Sequence, residues 1–182
     1  MKPKTPNIDT IHTIVFDFDG VFTNNFVYLD QKGLEAVRCD RRDGLAIDLM
    51  RKFQQLGKLQ AEMFILSTET NPVVASRAKK LKLTCHSGVE GKLSFLNEYF
   101  TNKPGNGYEG MIYLGNDLND LPVIEKAGYS VVPSDAHAMV KSAASLVLPE
   151  KGGVGFVRKF VELFLGIDRL TIGEINELIS NS

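Results

Sequence analysis

The chain has 182 residues, and its 21 Lys and Arg against 22 Asp and Glu leave a formal net charge of -1, with 43% hydrophobic and 24% charged residues. That balance belongs to an ordinary globular domain, and at this length about 70% of the unfolded surface is buried around one core. One domain is expected over 1–182, with a core at about 12–166 and a C-terminal tail at 167–182. No run of Lys and Arg supplies the basic footprint of a nucleic-acid binder, and no apolar stretch approaches about 18 residues. The opening MKPKTPNIDT lacks the apolar region of a secretory signal, so the expectations are no nucleic acid, no membrane and a cytoplasmic location. Cys39 and Cys85 have no metal-ligand neighbour at a recognisable spacing, and adjacent strand residues such as Cys85 and His86 would face opposite ways.

Residues 13–18, TIVFDF, form a short apolar, β-branched run that predicts a buried strand ending in the turn Asp19-Gly20. Residues 26–39 place two strand-like pieces around Asp30-Gln31-Lys32-Gly33, which predicts a β-hairpin. Asp43 is expected to cap an amphipathic helix with Leu45, Leu49, Met50, Phe53 and Leu56 on its apolar side, closing at Gly57. A strand over 61–66 follows, and Asn71-Pro72 then starts a helix running to about 83. Further helices near 92–100 and 120–127 lead into strands 111–114 and 129–132, and a last strand covers 145–148. Helices over 156–165 and after the Thr171 to Glu174 capping box close the chain. Strands alternating with helices imply right-handed crossovers, hence a doubly wound parallel α/β sheet with a small hairpin insertion.

In such sheets a ligand lies beyond the carboxyl ends of the strands. There the sequence sets Asp17 and Asp19, then Ser67, Thr68 and Glu69, then Gly115-Asn116-Asp117 with Asn119-Asp120, while Lys92 opens a helix between the second and third groups. Crowded carboxylates repel unless a cation sits among them, and an all-oxygen set suits Mg²⁺ rather than zinc. Phosphate would use the remainder: Ser67 and Lys92 can donate to phosphoryl oxygens, which leaves one carboxylate to attack phosphorus. Asp17 and Asp19 then divide attack from proton transfer, and their pKa values should separate.

The segment 17–23, DFDGVFT, followed in order by Ser67, Lys92 and 115–120, GNDLND, resembles the four motifs of the haloacid dehalogenase (HAD) superfamily. The hairpin in place of a cap domain, Arg41-Arg42-Asp43-Gly44 and 152–158, GGVGFVR, resemble the 3-deoxy-D-manno-octulosonate 8-phosphate phosphatases. Residues 65–80, ILSTETNPVVASRAKK, are equally similar to the phosphatase-like domain attached to some acylneuraminate cytidylyltransferases. The resemblance implies a HAD-like Rossmannoid fold without a cap domain, and a Mg²⁺-dependent phosphatase acting on a small-molecule phosphate of an eight- or nine-carbon sugar acid. Asp17 would be the nucleophile that forms an aspartyl-phosphate, Asp19 the acid and then the base, and Ser67 and Lys92 the phosphoryl-holding groups. Asp17, Asp19 through its carbonyl, and Asn116 would hold the metal. The family usually has aspartate at position 116, so weaker metal binding is expected here unless Asp117 or Asp120 compensates.

Arg77 and Lys80 lie three apart on one helix face with Glu69 just before it. They are candidates for the substrate carboxylate, with Glu69 for its hydroxyl or amide groups; solvated helix charges are the plainer reading. Thr68, Gly44 and Arg158 complete the expected substrate-binding set. The resemblance further implies a homotetramer, with the hairpin and the segment around Arg158 at subunit contacts. Two other functions compete. A non-catalytic HAD homologue could serve as an oligomerisation or regulatory partner of a cytidylyltransferase, although retention of both Asp17 and Asp19 argues against it. A phospho-receiver fits poorly, because its acidic pair precedes the acceptor Asp, whereas here the acidic segment follows Lys92.

Overall fold

The computed structural model describes residues 5–180; the first four and last two residues of the expected 1–182 domain lie outside them. In chain order the elements are β1 (Thr13–Phe16), β2 (Thr23–Leu29), β3 (Glu35–Cys39), α1 (Arg41–Gln55), β4 (Glu62–Leu66), α2 (Val73–Leu81) and β5 (Thr84–His86). They continue as α3 (Lys92–Thr101), β6 (Met111–Leu114), α4 (Leu121–Ile124), β7 (Tyr129–Val132), α5 (Ala138–Ala143), β8 (Leu146–Val147), α6 (Phe156–Leu165) and α7 (Ile172–Ser180). Six strands form one parallel sheet in the order β5-β4-β1-β6-β7-β8, and β2 and β3 form a separate antiparallel hairpin. The chain therefore winds in both directions from β1, as the alternation of strands and helices predicts.

Alternation along β1 divides the core. Ile14 and Phe16 point to the face covered by α1, α2 and α6, while Val15 points to the face covered by α3, α4 and α5. Each fully buried Phe or Leu in these layers contributes about 1.5–3 kcal/mol. No helix among the described residues is long and apolar enough to cross a membrane. Both cysteines are half-buried free thiols.

Several boundaries differ from the sequence expectation. β1 stops at Phe16, but Asp17 N still donates to Leu114 O at 2.8 Å, which pins Asp17 at the sheet's carboxyl edge. α1 is capped by Asp40, not Asp43, because Asp40 Oδ1 accepts Arg42 N at 2.8 Å. Asp43 consequently falls in the first turn, where packing against α6 buries it. The inner face is Ala46, Ile47, Leu49, Met50 and Phe53, while Leu45 and Leu56 are 47% and 53% exposed. α2 ends at Leu81, where Lys82 turns left-handed at φ 53°. α4 is only four residues long because Lys126 N closes onto Val123 O, a tightened last turn before Gly128. β8 covers two of the four residues expected, and the short α5 was not foreseen.

The hairpin is exposed. Phe26, Val27, Tyr28, Leu29 and Leu34 are each more than half accessible, so apolar groups from both alternations of β2 face solvent. The final helix has the expected capping box: Glu174 Oε2 accepts Thr171 N at 2.7 Å and Thr171 Oγ1 accepts Glu174 N at 3.3 Å.

Candidate active site

Parallel strands β1, β4 and β6 end side by side, so the first residues past them meet on one rim. A cavity of about 340 Å³ opens there, lined by Asp17, Asp19, Asn25, Ser67, Thr68, Asn116, Asp117, Leu118 and Asn119. Lys92, the first residue of α3, lies beneath it and is buried.

The floor is a three-charge cluster. Lys92 Nζ is 2.8 Å from Asp17 Oδ1 and 2.7 Å from Asp120 Oδ1, and all three side chains are nearly or wholly inaccessible. Asp17 Oδ1 also accepts Phe18 N at 2.7 Å, while its second oxygen accepts no hydrogen bond among the described residues. Asp120 is saturated: Tyr113 OH donates to Oδ1 at 2.5 Å, and Asn116 N and Asp117 N donate to Oδ2 at 2.8 and 3.2 Å. One ammonium thus faces two buried carboxylates. Burial, then the charge of Asp120, outweigh Lys92 and push the Asp17 carboxyl up to about 8. Burial alone would lower Lys92, but the two carboxylates hold it above its usual value.

Asp19 has a different setting. Its carboxyl is half-buried and takes the Thr23 hydroxyl on Oδ1 at 3.0 Å, and burial raises its pKa more than that bond lowers it. Gly20 then turns the chain at φ 71°, and a Cβ there would collide with the Asn116 side chain. Gly152 is equally confined, since a Cβ would strike Gly20 O. Residues 152 and 153 therefore brace the 20–23 turn from outside, and Gly153 N donates to Val21 O at 3.0 Å. Ser67 is buried, and its Oγ accepts Glu69 N at 3.0 Å, which leaves its proton to donate into the cavity.

The structure brings together Asp17, Asp19, Ser67, Thr68, Asn116 and Asp117, with Lys92 below. It does not bring the remaining expected residues into that cavity. Arg77 and Lys80 line a separate groove of about 600 Å³ between β3 and α2. Arg77 there donates to Asp40 O at 2.9 Å, while its Nε, though buried, has no partner among the described residues. Glu69 turns back to accept Asn71 N at 2.7 Å. Gly44 packs near Leu81 and Arg77, and Arg158 pairs with Glu162 at 2.6 Å.

Two residues at the site, Tyr113 and Asn25, carry no role in the sequence expectation, and a third residue, Asp43, is expected as a helix cap and as part of the segment 41–44. Tyr113 lies inside an otherwise apolar strand, and a buried phenol needs a hydrogen-bond partner, which was the available signal. Asn25 sits left-handed at φ 62°, a conformation asparagine tolerates. Asp43 is buried, with Oδ1 accepting Arg158 N at 2.9 Å and Oδ2 without a partner among the described residues.

Comparison with known proteins places this arrangement. No family model matches the chain. The 3-deoxy-D-manno-octulosonate 8-phosphate phosphatase KdsC of Yersinia pestis is 30% identical over 156 residues, covering 85% of this chain and 80% of that protein. The chain belongs to the KdsC-like phosphatase family of the HAD superfamily. A structure assigned to the HAD hydrolases, from Streptomyces avermitilis MA-4680, superposes with a TM-score of 0.82 at 38% identity over 91% of both chains. The cobalt-bound deoxy-D-mannose-octulosonate 8-phosphate phosphatase of Haemophilus influenzae gives 0.76 at 25% identity, covering 88% of this chain and 91% of that one. Like these HAD structures, the chain has the parallel sheet with flanking helices and a hairpin where a cap domain would stand.

Proposed function

We propose that this HAD phosphatase hydrolyses the phosphomonoester of an eight- or nine-carbon sugar acid through an aspartyl-phosphate on Asp17, with Mg²⁺ as cofactor. The observation that carries the reading is the convergence of Asp17, Asp19 and Ser67 on one polar cavity, with Lys92 paired to Asp17. The names of the relatives support 3-deoxy-D-manno-octulosonate 8-phosphate as the first substrate to try, with nonulosonate 9-phosphates beside it.

The residues fit a hard divalent cation. Two carboxylates buried against one ammonium are what push the Asp17 carboxyl up, so a cation there would favour its charged form, and Asp17 and the Asn116 amide line the same cavity. Asp17, the carbonyl of Asp19 and Asn116 would hold the ion, with Asp117, which lines the same cavity, as a further candidate. When bound, Mg²⁺ offsets the charge gathering on the phosphoryl oxygens.

The Asp17 carboxylate attacks phosphorus while Lys92 and the Ser67 hydroxyl donate to the phosphoryl oxygens. The bond from phosphorus to the leaving oxygen breaks, its electron pair stays on that oxygen, and the Asp19 carboxyl supplies the proton. In the second half Asp19, now a carboxylate, takes a proton from water. The water oxygen attacks phosphorus, phosphate departs, and Asp17 regains its carboxylate while Asp19 is again protonated.

Substrate selection is assigned to Thr68 at the cavity mouth, with Glu69, Arg77, Lys80, Gly44 and Arg158 further out. Because Arg77 and Lys80 border the hairpin groove and not the Asp17 cavity, their role fits an assembly in which neighbouring chains complete each site. The exposed apolar hairpin supports the homotetramer, since a two-stranded ribbon is marginal alone and apolar patches of this kind mark contacts.

Phosphate release from a panel of octulosonate and nonulosonate phosphates, with and without Mg²⁺, tests the reading. Selective, metal-dependent turnover is expected. A folded protein that turns over no member at high Mg²⁺ would overturn it in favour of a non-catalytic partner of a cytidylyltransferase.

A further inference from the structure

Thr23 is the first residue of β2, wholly inaccessible and paired with Cys39 across the hairpin. Its hydroxyl has one proton and two lone pairs. Gly20 N and Asn25 N each donate to Oγ1 at 3.2 Å, which occupies both lone pairs. The single proton is then committed to Asp19 Oδ1 at 3.0 Å.

We infer that Thr23 is a positioning residue that decides which oxygen of Asp19 carries the catalytic proton. An oxygen accepting the Thr23 proton cannot also present a proton of its own along that line, so the acid proton of Asp19 is placed on Oδ2. Asp19 lines the cavity, and Oδ2 accepts no hydrogen bond among the described residues, so the proton sits on the oxygen left free for a leaving group. The backbone holds the arrangement: Gly20 and Asn25, which aim their N–H groups at Oγ1, are both left-handed, at φ 71° and 62°.

The inference rests on Asp19 being the acid of the proposed reaction, and the experiment separates the two. Proton donation matters most when the leaving group is a poor one, so a misplaced acid slows phenyl phosphate far more than 2,4-dinitrophenyl phosphate. Single-turnover release of each phenol would be measured with Mg²⁺ for the parent, Asp19→Asn, Thr23→Val and Thr23→Ser, after thermal unfolding has shown that each variant folds. Thr23→Val should slow phenol release by about tenfold or more and dinitrophenol release by less than about twofold, while Thr23→Ser keeps the parent ratio. Should Thr23→Val not fold, Thr23→Ala reads the same ratio. If Asp19→Asn shows the leaving-group selectivity and the Thr23 variants slow both substrates equally, Thr23 only braces the turn and the inference fails. If Asp19→Asn itself shows no selectivity, the assignment of Asp19 falls, and the inference with it.

Discussion

The side-chain amide of Asn116 rests against Gly20, in the space a Cβ at position 20 would occupy. The residue after β6 and the turn after β1 therefore pack closely enough that a side chain at position 20 would displace Asn116 from its place at the cavity. Gly20→Ala meets both the collision and the positive φ. It should destabilise the fold by about 1–3 kcal/mol and weaken Mg²⁺ binding, read by urea denaturation and calorimetric titration.

Asn116 itself contributes an oxygen without a charge. Replacing it by Asp adds a carboxylate to a site where ligand charge tunes cation affinity, and Asn116→Asp should bind Mg²⁺ about tenfold more tightly. Calorimetric titration of both proteins decides it. Equal affinity would mean that position 116 is not a ligand or that charge is not limiting.

Asp120 gathers four donors, and of these Lys92 alone has a second acceptor among the described residues, Asp17 Oδ1 at 2.8 Å. Removing its carboxylate leaves Lys92 and Tyr113 buried without that acceptor. Asp120→Ala should therefore cost about 3–5 kcal/mol in urea denaturation, and Asp120→Asn, which keeps an acceptor, should cost less.

Asp43 gives the stability a pH dependence of defined sign. Burial raises its carboxyl to about 6 from an ordinary 3.8, against the Arg158 N–H bond that lowers it. The folded state thus keeps a proton that the unfolded chain has already released, so its stabilising contribution is full below about 3.8 and is lost as pH rises through 6. At about 1.4 kcal/mol per pKa unit this amounts to roughly 3 kcal/mol. Urea denaturation between pH 4 and 7 should show the parent losing stability relative to Asp43→Asn up to pH 6 and holding level above it.

The hairpin predicts its own partner. Phe26→Glu with Tyr28→Glu places charge on one exposed alternation of β2. Sedimentation velocity should show the parent as a tetramer and the double variant as smaller species, with turnover reduced if neighbouring chains complete each site.

Much of this was legible before the structure. Residues 13–16 and 111–114 are continuous apolar runs, and such runs in an α/β rhythm give the central strands and, with them, the rim where Asp17, Ser67 and Asn116 meet. What escaped depends on contacts distant in sequence. Asp40 and Asp43 are equally good caps by residue type, and only packing against α6 decides between them. The helical spacing of Arg77 and Lys80 is correct, but it carries no information on whether their face meets the cavity or the hairpin. The role of Asp120 follows from a lysine 28 residues away, and the Thr23 bonds depend on two left-handed residues beside it.

The central claim is that Asp17 is the attacking carboxylate. Turnover of the best panel substrate by Asp17→Asn at saturating Mg²⁺ tests it most directly, with urea denaturation confirming the fold. The account predicts a loss of about a thousandfold or more, because among the described residues the other carboxylate paired with Lys92, Asp120, has both oxygens taken up by donors. Activity within about tenfold of the parent would contradict it and remove Asp17 from the role of nucleophile.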